Sequence, residues 1–227
     1  MKSHFLIFFL FLFFTTITFS QAQLPDGFNV QTVGEKWVQP TGFVFQEDGT
    51  MYVLEKSGII WVVKDGVKLD TPFLDIRDEV ANHGDMGLMG FVLDPDFQSN
   101  GYCYAFYVAD FHHVVNEGKP DFDPSASLLW RATIARVARF QADTNDYLTA
   151  DPSTRHLLIG ETIQSGVPVL HESHVGGDLV FGTDGTLLIA TGDASTWKAA
   201  YAGNGPCLLY TSPSPRDATL SRMPSSA

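Results

Sequence analysis

The stretch His171-Glu-Ser-His174-Val-Gly176-Gly177-Asp-Leu-Val-Phe181-Gly-Thr-Asp184-Gly185-Thr-Leu187-Leu-Ile-Ala190-Thr-Gly192-Asp193 joins a histidine pair, a glycine pair, a turn and two apolar runs. Gly176 and Gly177 permit a close backbone approach or positive φ, so a strand is expected over Asp178 to Phe181 with His174 at its mouth. Asp184-Gly185 is a hairpin turn signal, and Leu187 to Ala190 reads as the buried return strand. The same form, Phe-x-x-Asp-Gly-Thr, stands at Phe45 to Thr50. A looser copy lies in Leu93 to Tyr104, where Asn100-Gly101 takes the turn. The glycines that open the three hairpins, Gly42, Gly90 and Gly177, are 48 and 87 positions apart. About 40 to 50 residues make one propeller blade. The longer step is two blades or one with insertions, and the segments 109–127 and 141–154, polar and read as loops, favour insertions.

Around these hairpins the chain is strand-like. Leu24 to Val33 alternates as a strand entering the domain, and Gly58 to Val63 is a further apolar strand closed by the turn Lys64-Asp65-Gly66. Short strands with a glycine turn every eight to twelve residues or so indicate an all-β sandwich, barrel or propeller. The blade-length repeat selects the β-propeller. His156 to Ile159 reads as the outer strand of the second blade. Arg131 to Phe140 fits a helical spacing of three as well as an irregular strand.

The two ends differ from the middle. Lys2, the apolar run Phe5 to Phe14 and Ser20-Gln21-Ala22 have the three parts of a secretory signal, expected to be cut after Ala22. The alternative, a membrane anchor, requires an apolar run of roughly 20 residues, and Phe5 to Phe19 falls short of that. From Cys207 onward strand alternation stops and three prolines intervene. The expected organisation is therefore a signal peptide at 1–22, a partial β-propeller at 23–206 and a foreign, disordered tail at 207–227. That tail resembles translated sequencing adapter.

The formal net charge is −12. Lys2 contributes +1 and residues 207–227 another +1, so the part between carries −14. Such a surface repels phosphate backbones and anionic headgroups, which excludes nucleic acid as a partner and favours neutral or cationic ligands. Once the signal is removed no integral membrane segment is expected, and the protein is read as secreted or periplasmic. Cys103, between Tyr102 and Tyr104, is expected in the core, and Cys207 belongs to the tail.

Asn82-His83-Gly84-Asp85-Met86-Gly87-Leu88-Met89-Gly90 leads to Asp94-Pro95-Asp96-Phe97, Asn100 and the tyrosines after it. Together with His174-x-Gly176-Gly177 and Thr191-Gly192-Asp193, this order resembles the glucose and sorbosone dehydrogenase family over roughly 24 to 200. The resemblance implies an exported six-bladed β-propeller, about the first half of which lies in this chain. Many members oxidise sugars with pyrroloquinoline quinone (PQQ). Hedgehog-interacting proteins carry a related domain without known redox chemistry. The resemblance, through Arg136-Val-Ala-Arg-Phe140, also selects a strand for 131–140.

Oxidising a sugar hydroxyl needs a base for the hydroxyl proton while hydride leaves the carbon, and a neutral imidazole suits that task. The resemblance assigns this role to His174, with His171 the weaker candidate. It places Asp85, Gly176 and Gly177 beside the cofactor. Asp85 stands where glucose-oxidising members have a glutamine, and it would repel a trianionic quinone unless protonated or bridged by a cation. Ser173 stands where those members have an acid beside the histidine. Asp184 and Asp193 are either calcium ligands or turn caps. The calcium that partners the quinone would bind a later segment, as would the quinone's cationic grip. His112-His113 is a further metal candidate, although adjacent histidines point apart in an extended segment. The leading expectation is an exported PQQ-dependent aldose dehydrogenase with a sugar substrate. The alternative is a non-catalytic extracellular propeller that binds carbohydrate or a protein.

Overall fold

The computed structural model describes residues 24–194 apart from Glu35 and Trp130. The expected signal peptide and tail lie outside the described residues. Two units separate, Met1–Thr32 and Val33–Ala227. In the first, the Phe28 N–H donates to the Pro25 carbonyl around Gly27, and no strand forms between 24 and 33. The expected strand there is corrected: alternation alone does not make a strand without a neighbouring ladder to hold its backbone groups.

The second unit is built of antiparallel sheets. The first holds β1 (Pro40–Phe45), β2 (Met51–Glu55), β3 (Ile59–Lys64), β4 (Val67–Lys68) and β5 (Leu74–Asp75), in the order β1-β2-β3-β4 with β5 also on β3. The second holds β6 (Leu88–Leu93), β7 (Tyr102–Val108), β8 (Thr133–Ala142), β9 (Ala150–Ile159) and β10 (Val167–Val169). Its strands run β6-β7-β8, and both β9 and β10 pair with β8. The third is the hairpin β11 (Gly177–Phe181) and β12 (Leu187–Thr191). β1 contacts β6, and β6 contacts β11, so the first strand of each sheet lies beside the first strand of the next. That is the arrangement of propeller blades around an axis.

Local chemistry explains the turns. In both Phe-x-x-Asp-Gly-Thr copies the aspartate Oδ1 accepts the threonine N–H, at 2.9 Å for Asp48 and 3.0 Å for Asp184. In both, the glycine after the aspartate has positive φ, 87° at Gly49 and 81° at Gly185. Asp65 and Gly66 both adopt positive φ, as a two-residue turn between twisted strands requires. The looser copy carries an added turn of helix, α1 (Phe97–Asn100), closed by left-handed Gly101. Buried Phe97 fastens that helix to the core.

A single sheet spans the 87-residue step from Gly90 to Gly177, so the insertion reading holds. The reading of 109–127 and 141–154 as loops is corrected. The first contains α2 (Phe111–Asn116), capped by the Asp110 carboxylate on the His112 N–H at 2.7 Å. The second contains the ends of β8 and β9, joined by a short turn. The strand at 131–140 is present as β8.

Two apolar layers separate the sheets. Tyr52, Leu54, Ile60, Val62, Phe91, Cys103 and Phe140 lie in the first, and Met86, Phe106, Val137, Val175 and Leu179 in the second. Each fully buried large side chain contributes about 1.5–3 kcal/mol. Cys103 is completely buried, and burial pushes its thiol up, which keeps it a protonated core residue. Arg136, which alternates with Ile134 and Val137, is not a solvent-facing charge. It is 1% exposed, with Nη1 2.5 Å from Glu79 Oε1 and Nε donating to the Gly160 carbonyl at 2.9 Å. The Tyr107 hydroxyl donates to the same Glu79 oxygen, and Arg155 bridges Glu79 and Glu117. Among the described residues no helix is long and apolar enough to cross a membrane.

Candidate functional site

The loops that lead into β6 and β11 meet. Gly84, at φ 53°, lies so close to Glu172 that a Cβ there would stand 2.7 Å from its carbonyl oxygen. The Asp85 N–H donates to that carbonyl at 2.7 Å, and the Asp85 carboxylate accepts the His174 N–H at 2.9 Å. Two sequence candidates, Asp85 and His174, are thereby brought together, just ahead of the glycine pair whose second member, Gly177, begins β11. His174 takes the left-handed conformation, φ 56°, which non-glycine residues rarely adopt. Its carbonyl accepts the Ala194 N–H at 3.2 Å, and the chain returning from β12 crosses so near that a Cβ on Gly192 would stand 2.1 Å from that oxygen.

The glycine pair divides into two roles. A Cβ on Gly177 would stand 2.0 Å from Phe106 Cε1, so this position requires glycine for close approach. Gly176 has neither positive φ nor a neighbour within 4 Å of an added Cβ, and it donates nothing of that kind. Its carbonyl accepts the Gly192 N–H at 2.8 Å.

The His174 side chain is 52% exposed, with Nδ1 3.8 Å from Asp193 Oδ1. Asp193 thus supplies a carboxylate beside the histidine at a place sequence reasoning assigned to calcium or a turn. Asp184 caps its turn at the far end of the hairpin, so the two aspartates do not share a site. His171 is engaged locally: its Nδ1 accepts the Ser173 N–H at 3.1 Å and lies 2.9 Å from the Ser173 hydroxyl. Ser173 itself is buried.

Lys56, in the turn after β2, was not singled out from sequence. Its Nζ donates to Asn82 Oδ1 at 2.8 Å, and its carbonyl accepts the Leu88 N–H at 2.8 Å. Burial lowers the Lys56 pKa, with the Asp85 charge acting the other way. Burial likewise lowers the His83 pKa, with Glu172 opposing and Lys56 reinforcing the shift. Only spatial closure places Lys56 beside a loop some 30 positions on, and no local pattern marks it.

His112 and His113 lie on α2 and not on an extended segment. His113 Nε2 is 3.0 Å from the Pro124 carbonyl, and His112 stacks on Phe122, so the pair fastens the following loop. Among the described residues no group of three or more His, Cys, Asp or Glu side chains is placed to hold a metal ion.

The donor set suits a proton acceptor: an exposed imidazole with a carboxylate on its Nδ1 side. By itself it does not supply the grip of a polyanion such as PQQ, since Asp85 on the His174 N–H and Asp193 beside the ring are both carboxylates and Lys56 offsets only part of that charge.

Residues 37–204 match the family model described as Glucose / Sorbosone dehydrogenase. Human Hedgehog-interacting protein is 27% identical over 173 residues, covering 73% of this chain and 22% of that protein. The HIPL2 protein of Arabidopsis thaliana is 29% identical over 138 residues, 54% of this chain and 19% of the relative. Among solved structures, the soluble aldose sugar dehydrogenase of Escherichia coli in its apo-form superposes with a TM-score of 0.52. It is 21% identical and covers 73% of this chain and 41% of its own. The chain therefore spans well under half the length of the proteins it matches. It belongs to the glucose/sorbosone dehydrogenase family, and its sheets are blades of a six-bladed β-propeller, about the first half of the ring.

Proposed function

We propose that this chain is the N-terminal part of an exported, PQQ-dependent aldose dehydrogenase, with His174 as the general base. The observation that carries the reading is the exposed imidazole beside the Asp193 carboxylate, on a residue whose main-chain N–H is held by Asp85 at the meeting of two blades. With Nδ1 turned toward Asp193, the His174 imidazole would accept the proton of a sugar hydroxyl. The imidazolium that results is stabilised by Asp193, although the half-exposed pair is screened by water. When bound, the quinone supplies the acceptor for the hydride that leaves the same carbon. Its cationic seat and any calcium it needs would have to come from residues other than those described. The acidic composition and the apolar leader support secretion or a periplasmic location.

The test is reconstitution of the full-length parent with PQQ and calcium against a panel of aldoses, followed by dye reduction. The wild type should turn over, and His174→Gln should lower kcat by about a hundredfold or more. A parent that binds sugar or a protein without reducing dye would reverse the conclusion. It would favour the second reading, a non-catalytic extracellular propeller, which draws support from Asp85 and from the likeness to Hedgehog-interacting protein.

A further inference from the structure

We infer that Asp85 acts as a positioning residue for His174, through its main chain, and not as a contact to a cofactor. The inference rests on the reading of His174 as the base. Asp85 Oδ2 accepts the His174 N–H at 2.9 Å, across 89 positions of sequence. That N–H belongs to a residue at φ 56°, a conformation that persists only where the surroundings determine it. Here they do so from both sides. Asp85 holds the N–H, while the Ala194 N–H, at 3.2 Å, holds the carbonyl against the glycine at 192. With the peptide fixed at both ends, the direction of the Cα–Cβ bond is set, and the imidazole is delivered to Asp193.

The register of this clasp is equally constrained. The Asp85 N–H donates to the Glu172 carbonyl at 2.7 Å, and at Gly84 no side chain fits against Glu172. One carboxylate oxygen is thus committed to protein, and part of the charge it carries is offset by Lys56, itself tied to Asn82. An aspartate at this place therefore need not oppose an anionic ligand by direct contact. What the position requires is an acceptor oxygen of short reach, so asparagine should serve and alanine should not.

The experiment compares the full-length parent with Asp85→Asn and Asp85→Ala, following amide hydrogen exchange at His174 with Phe106 and Val137 as controls for the fold. In D85A the His174 amide should exchange about tenfold faster, and in D85N within about threefold of wild type, with the controls unchanged. In aldose turnover D85A should lower kcat about tenfold with the sugar KM within about twofold, and D85N should restore most of it. Unchanged exchange at His174 in D85A overturns the inference, as does an equal effect of both variants on that amide. The expected exchange pattern in a parent that oxidises no aldose supports the clasp and removes the base reading, so the two fail separately.

Discussion

Gly177 and Phe106 touch across the boundary between the second sheet and the third hairpin, at a place where a single added carbon would overlap the ring. Replacing Gly177 with alanine should therefore destabilise the protein by about 1–3 kcal/mol through overpacking. Gly176→Ala, with nothing near the added Cβ, should change thermal stability by less than about 0.5 kcal/mol. Paired melting curves check this, and equal midpoints for the two variants would refute the packing account.

The Glu79 carboxylate, buried with Arg136 and Tyr107, makes a prediction about acid. Burial pushes its pKa up, but Arg155, the Tyr107 hydroxyl and Arg136 together outweigh burial and hold it below the ordinary value. Its contribution should be complete above the unfolded glutamate value, about pH 4.3, and be lost as pH falls through the lower folded value. Glu79→Gln should flatten that part of the stability profile. Glu79→Ala should cost about 3–5 kcal/mol at neutral pH by stranding the buried guanidinium. Denaturant titrations between pH 3 and 7 provide the measurement.

Asp193 lies 3.8 Å from the imidazole it faces. If His174 is the base, Asp193→Asn in the reconstituted parent should lower kcat by about tenfold to a hundredfold and leave the sugar KM nearly unchanged. A rise in KM at constant kcat would instead assign Asp193 to sugar binding.

Phe43 and Phe45 form an edge-to-face pair on β1, exposed at 63% and 59%. They border an apolar hollow of about 570 Å³ with Trp37, Met51 and Val53. A contiguous apolar face of this kind favours association. The 227-residue chain should self-associate at micromolar concentration, and Phe43→Lys with Phe45→Lys should shift it toward monomer in light scattering. Unchanged mass in the double variant would exclude this face.

Several features were legible before any coordinates. The two Asp-Gly turns and the hairpins on either side of them follow from groups a few bonds apart, and the structure repeats them with matching hydrogen bonds, whereas the strand over β8 was selected by the family resemblance and not by its spacing. The strand expected at Leu24 to Val33 failed because a ladder needs a partner that alternation does not supply. The burial of Arg136 had no sequence signal because its carboxylate partner is 57 positions away.

By itself the sequence determined turn types, strand periodicity, the blade-length repeat and the presence of a histidine before paired glycines, all of which depend on short-range sterics and local polarity. Only the tertiary structure decided that Asp85 grips the His174 peptide, that Asp193 faces its ring and that Lys56 joins them. Those contacts arise when separate blades close on one another, and the free energy that selects them comes from burial spread over whole sheets, which no local window of residues encodes.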